Sequence, residues 1–125
     1  MLKKTPETER QVATEVETER DDPLFCKRCG HLITRERWAV SRNGDHLHTV
    51  FNPAGHLFRV RCFEHAPGVG EAGEPTDNFT WFPGFFWRFS LCRGCGDHLG
   101  WAYSGTDGGT AFYGLIATKL VANRD

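Results

Sequence analysis

FTWFPGFFWRFSLCRGCGDHLGWAY, residues 79–103, is the stretch around which the rest of the chain is read. It carries Trp81, Trp87 and Trp101, three of the four tryptophans, and the pair Cys92-x-x-Cys95. Side chains alternate along a strand, so Phe79/Trp81, Trp87/Phe89 and Trp101/Tyr103 are each predicted to share one face of their own strand. Pro83-Gly84 is a turn signal between the first two strands, and the Cys92–Gly96 knuckle separates the second from the third. As neighbours, these strands would bring three indoles together into an aromatic box beside a metal. The blander reading is that the indoles fill a core, as aromatic side chains commonly do. Against it, an indole N–H needs a partner when buried, and ten phenylalanines are already available for packing.

A second cysteine pair, Cys26-x-x-Cys29, lies far upstream, and glycine follows each pair (Gly30 and Gly96). Two such knuckles close a four-thiolate set, the usual ligand set of structural zinc. A redox CxxC expects a βαβ setting that this chain lacks, and four cysteines leave no open position for catalytic zinc. Zinc held by Cys26, Cys29, Cys92 and Cys95 would therefore support the box without doing chemistry. The fifth cysteine, Cys62, sits between Arg61 and Phe63 and reads as a small buried hydrophobe. His46-x-His48 has chelate spacing, but with zinc already satisfied these histidines read as structural.

Outward from these motifs, 125 residues make one domain. Fifteen basic residues against sixteen acidic ones leave no electrostatic footprint for nucleic acid or an acidic membrane. No run reaches the roughly 20 apolar residues of a membrane helix, and the N-terminus has no secretory h-region, so a cytoplasmic protein with reduced thiols is expected. Residues 1–22, with Glu-Thr-Glu-Arg twice, bury too little to offset their ordering and read as a disordered polar tail. Asn43-Gly44 marks a hairpin turn. Residues 46–52, 56–63, 98–104 and 110–116 read as strands, residues 66–78 as a long Gly/Pro-rich loop, and fraying is expected from Ala117. The folded domain is bounded at 23–120, with 121–125 as a frayed end. Short strands, frequent turns and little helical periodicity give a small antiparallel all-β fold.

The order of Cys-x-x-Cys-Gly, Phe51-Asn52-Pro53-Ala54-Gly55, Trp81-Phe82-Pro83-Gly84-x-x-Trp87, Cys-x-x-Cys-Gly-x-His98-x-Gly100-Trp101 and Phe112-x-Gly114-Leu115 closely resembles the CULT domain, the thalidomide-binding domain family of cereblon. The resemblance covers about residues 24–120 and looks nearest to the stand-alone bacterial members. It implies a β-tent pinned by zinc, with a three-tryptophan pocket for cyclic imides: the glutarimide of thalidomide-type drugs, uridine, or a C-terminal cyclic imide on a damaged protein. Carried over by position, Trp81, Trp87 and Trp101 form the walls and Tyr103 the floor. Main-chain groups of Phe79 and Trp81 would bond the imide, with Asn52 and Pro53 at the rim. Cereblon has His at the position of Phe79. The resemblance does not extend to the parts of cereblon that serve a ubiquitin ligase, so no adaptor role is expected of this chain.

From spacing alone an aromatic box takes either an ammonium or a flat ring with polarised C–H edges. A methylammonium reader is thus one rival, with Asp77, Glu74 or Asp97 to supply the usual carboxylate. A B-type methionine sulfoxide reductase is another, but it needs a late cysteine and residues 96–125 contain none, so no enzymatic activity is expected. A zinc-ribbon nucleic-acid binder, with Lys27, Arg28 and Arg93 on the knuckles, runs against the balanced charge.

Overall fold

The structure is a computed structural model that describes residues 22–123. The tail expected at 1–22 lies outside the described residues except for Asp22. That residue is anchored, its carboxylate accepting a 2.7 Å hydrogen bond from Arg37 Nε. The chain forms nine strands: β1 (Pro23–Cys26), β2 (Leu32–Arg35), β3 (Leu47–Phe51), β4 (Leu57–Phe63), β5 (Val69–Thr76), β6 (Phe86–Cys92), β7 (His98–Ser104), β8 (Thr110–Ile116) and β9 (Leu120–Val121). The expected all-β antiparallel fold is observed: every strand pair is antiparallel, and the only helical turns described are two short 3-10 segments. No helix among the described residues is long and apolar enough to cross a membrane.

The strands make a six-stranded sheet in the order β3-β4-β8-β7-β6-β5 and a three-stranded sheet in the order β2-β1-β9. Period-two alternation divides the large sheet's side chains between two cores. On one face Phe63, Val69, Cys92 and Leu115 pack with Leu24, Cys26, Ile33 and Leu120 of the small sheet. On the other face Val60, Cys62, Trp101, Tyr103, Phe112 and Ile116 form a second cluster, closed by Phe82. Trp101 and Tyr103 therefore sit on the face turned away from the small sheet. Cys62 is fully buried, as expected, and burial pushes its thiol up to about 11. His46 and His48 are structural: their rings hydrogen-bond the Val40 and Asp45 carbonyls and pack on Phe63 and Phe82.

Three local expectations are corrected. Much of the 66–78 stretch is a strand, β5, at the edge of the large sheet. An edge strand needs hydrogen bonds on one side only, so it tolerates Pro75, and Gly73 at φ +90 turns the irregularity between Ala72 and Thr76. Its loop-like composition conceals this. Phe79 and Trp81 lie on no strand; Phe79 adopts φ +57, a left-handed conformation uncommon for a bulky residue, which breaks the alternation there. Finally, the chain does not fray from Ala117. Leu120 and Val121 pair with Cys26 and Phe25, so the end of the chain closes the small sheet.

Candidate functional site: a thiolate clamp behind an indole-lined slot

Each cysteine pair sits in a tight turn beside a strand end. In the first, Gly30 N–H donates to the Cys26 carbonyl at 2.8 Å; in the second, Gly96 N–H donates to the Cys92 carbonyl at 2.8 Å. Both glycines adopt φ +81, which explains why glycine follows each pair. The four sulfurs lie within 4.8 Å of one another. Cys26 Sγ is 3.8 Å from Cys95 Sγ, and Cys29 Sγ is 3.6 Å from Cys92 Sγ. Thiolates about 2.3 Å from a tetrahedral ion stand about 3.8 Å apart, so the set fits a metal ion. A hydrogen bond from the Asp97 amide holds the Cys95 thiol below its ordinary range, whereas burial raises Cys92 and Cys26. A cation on the cluster would reverse that burial effect. The cluster brings the β1–β2 turn against the β6–β7 turn, so a metal held there would tie the small sheet to the strands that carry Trp87 and Trp101.

Beyond those strands lies a slot of about 340 Å³, lined by Asn52, Pro53, Phe58, Phe79, Trp81, Trp87, Phe89, His98, Trp101 and Tyr103. All seven residues expected from the sequence line it. Trp87 and Trp101 come from diagonal positions on β6 and β7, where Trp87 pairs with Tyr103 and Phe89 with Trp101. Trp81 arrives from the preceding loop and meets Trp101 edge to face, with centroids 4.8 Å apart at 89°. Trp87 packs on Phe89 at 5.3 Å. Tyr103 stacks on Phe112 at 4.9 Å, is almost wholly buried, and has its hydroxyl pKa raised by that burial.

Two indole N–H groups are committed to the protein. Trp81 Nε1 donates to the Phe51 carbonyl at 2.8 Å, and Trp87 Nε1 donates to the Asn78 carbonyl at 2.9 Å. These bonds orient the rings and pin the 77–85 loop over the slot. The polar groups left available include the main chain, since neither Phe79 nor Trp81 makes a backbone hydrogen bond to another described residue, and two side-chain donors of the lining, Trp101 Nε1 and Asn52 Nδ2, which have no acceptor among the described residues. Asn52 Oδ1 accepts from His56 N–H at 2.8 Å, which fixes the β3–β4 turn at the rim.

Phe58, Phe89 and His98 also line the slot and were not among the expected ligand contacts. Phe89 was legible, two residues from Trp87 on one strand. Phe58 was masked by adjacent Leu57, which blurs the alternation of β4. His98 packs edge-on between Phe89 (5.3 Å) and Trp101 (5.0 Å), and its Nε2–H donates to the Gly100 carbonyl at 2.9 Å. Burial lowers its pKa, favouring neutral imidazole. No Asp, Glu, Lys or Arg lines the slot among the described residues.

The class defined by this arrangement is a two-sheet antiparallel domain whose sheets meet at a four-cysteine cluster suited to a metal ion, with an aromatic slot on the outer face of the large sheet. No protein-family model matches the chain. Curated relatives do. "Protein cereblon" of Drosophila persimilis is 31% identical over 107 residues, covering 78% of this chain and 17% of the relative. "Protein cereblon" of Drosophila melanogaster is 31% identical over 114 residues (82% of this chain, 19% of the relative), and that of Drosophila willistoni is 32% identical over 122 residues (85% and 19%). The chain is a cereblon-like CULT domain. It spans less than a fifth of the length of these relatives.

Proposed function

We propose that this chain is a binding module that holds a cyclic imide among Trp81, Trp87 and Trp101, with structural zinc on Cys26, Cys29, Cys92 and Cys95. The observation that carries the reading is the combination of ring faces and main-chain groups around the slot. The indole N–H groups of Trp81 and Trp87, bonded to the Phe51 and Asn78 carbonyls, leave those two rings to offer their faces to a flat ring. The unpaired backbone groups of Phe79 and Trp81 provide the donor and acceptor that an imide edge requires. Slot volume, about 340 Å³, suits a six-membered ring with a substituent leading out past Asn52 and Pro53. The ligand class is then a glutarimide, a uridine-like ring, or a peptide ending in a cyclic imide. Four thiolates with no open position are the ligand set of structural zinc sites, which is why zinc is the ion proposed.

Against a methylammonium ligand, the slot lacks the carboxylate that usually accompanies such cages, since Glu74, Asp77 and Asp97 do not line it. Binding, not turnover, is the proposed activity, exercised inside the cell where thiolates stay reduced. Calorimetric titration with glutarimide, N-methylglutarimide and a trimethyl-lysine peptide tests the reading. Saturable binding of glutarimide, weakened about tenfold or more by N-methylation of its imide edge, is expected. Tighter binding of trimethyl-lysine, or indifference to N-methylation, would replace this reading with the ammonium one.

A further inference from the structure

We infer that a second cleft, on the opposite face of the large sheet from the tryptophan slot, binds small carboxylates with a flat or branched apolar body. This cleft, of about 540 Å³, is floored by buried Ala66 and Val69, walled by Trp38 and Tyr113, and rimmed by Glu71 and Arg93. Strand register separates it from the slot. Tyr113 pairs with Ala102 and Glu71 with Ser90, so both point away from the face of Trp101 and Tyr103.

The sign of the ligand follows from which polar groups are already matched. Glu71 is already partnered: Oε1 accepts from Arg88 Nη1 at 3.3 Å, and Oε2 accepts from Thr110 Oγ1 at 3.0 Å and Tyr113 Oη at 3.4 Å. Arg93 is not. Its backbone N–H donates to the Gly68 carbonyl at 3.0 Å and its Nε to the Pro67 carbonyl at 3.2 Å. Among the described residues neither terminal nitrogen of this exposed side chain has a protein acceptor, and it makes no ion pair. Trp38, lying edge-on to His65 at 5.4 Å, likewise has no acceptor for its indole N–H among the described residues, as is also the case for Trp101.

The cleft thus offers solvent-facing donors, free of protein partners among the described residues, beside aromatic and aliphatic walls. A guanidinium fork accommodates a carboxylate through two parallel bonds, while the ligand's apolar body covers Trp38, Ala66 and Val69. An ammonium would meet a carboxylate already satisfied and a bare guanidinium, so the cleft disfavours cations. Arg93 follows Cys92 in the second knuckle, and its bonds to the Pro67 and Gly68 carbonyls hold it at the rim of the cleft.

The test uses the full zinc-loaded chain labelled with 5-fluorotryptophan, whose four fluorine signals report both sites separately; Trp38→Phe assigns the Trp38 signal. 3-Phenylpropionate is the probe, with neutral 3-phenylpropanamide as its control. Expected is a saturable shift of the Trp38 signal alone, at least about tenfold weaker for the amide and for Arg93→Gln, with glutarimide titrations unchanged. Equal response to acid and amide, no saturable shift, or movement of the Trp81, Trp87 and Trp101 signals instead would overturn the assignment. The acid-against-amide comparison needs no variant, so it decides the matter even if Arg93→Gln disturbs the knuckle.

Discussion

Replacing Trp81 by Phe tests how the slot is assembled, because it keeps an aromatic ring while deleting two identifiable contributions. The first is the 2.8 Å bond from Nε1 to the Phe51 carbonyl, which anchors the 77–85 loop to the end of β3. A neutral hydrogen bond of this kind contributes about 0.5–1.5 kcal/mol net. The second is the part of the indole face that phenyl lacks, about 40 Å² or roughly 1 kcal/mol if a ligand covers it all. Since the anchor contributes only as far as the loop must be re-ordered around the ligand, about 1–2 kcal/mol of binding is expected to go. That corresponds to a five- to thirtyfold rise in the glutarimide Kd. Calorimetry on zinc-loaded Trp81→Phe, beside Trp38→Phe as a remote control, reads this directly. An affinity within about twofold of the parent chain, with the fold intact, would refute the claim that this loop is held in a binding geometry by the Trp81–Phe51 bond.

Metal removal should unfold the domain: structural zinc contributes about 10–16 kcal/mol in finger peptides, against about 5–15 kcal/mol for a whole domain. Circular dichroism after chelation, and of Cys92→Ser, checks this, and an apo chain with an unchanged sharp melt would contradict it. Gly100→Ala should be severe, because a Cβ there would lie 2.1 Å from the Gly114 carbonyl oxygen on the paired strand. A loss of at least about 2 kcal/mol, or roughly 10 °C in Tm, is expected, and a melt within about 2 °C would show that the strands part freely. His98 should titrate below the ordinary value of 6.5, because burial disfavours the cation. The unfolded chain then binds more protons than the folded one between the two pKa values. Stability is therefore lost as pH falls from about 6.5 through the folded pKa, and an NMR titration placing His98 above 6.5 would reverse this account.

The parts of the fold legible in the sequence are those where a local rule acts without tertiary help. Cys-x-x-Cys-Gly fixed both knuckles because a left-handed residue after the second cysteine is a local requirement, met by Gly30 and Gly96 at φ +81. Residues 98–104 and 110–116 read correctly because both are central strands with strong apolar content. β5 was hidden because an edge strand is stabilised by its neighbour β6, not by its own Gly- and Pro-rich composition. Likewise Leu120 and Val121 acquire their structure from β1, which no local pattern around them announces. At the site, the tryptophans were recognisable but the conformation delivering Trp81 was not. A left-handed Phe79 depends on the Trp87–Asn78 and Trp81–Phe51 bonds that hold the loop on either side of it. His98 was visible in its motif, yet its place in the slot follows only from the β6–β7 register.

Intermolecular NOEs between glutarimide ring protons and assigned indole protons of the zinc-loaded chain test the central claim most directly. Contacts from one bound imide to Trp81, Trp87 and Trp101, with none to Trp38, are predicted. Saturating imide that shows no contact to those three rings, or touches Trp38 alone, would contradict the account.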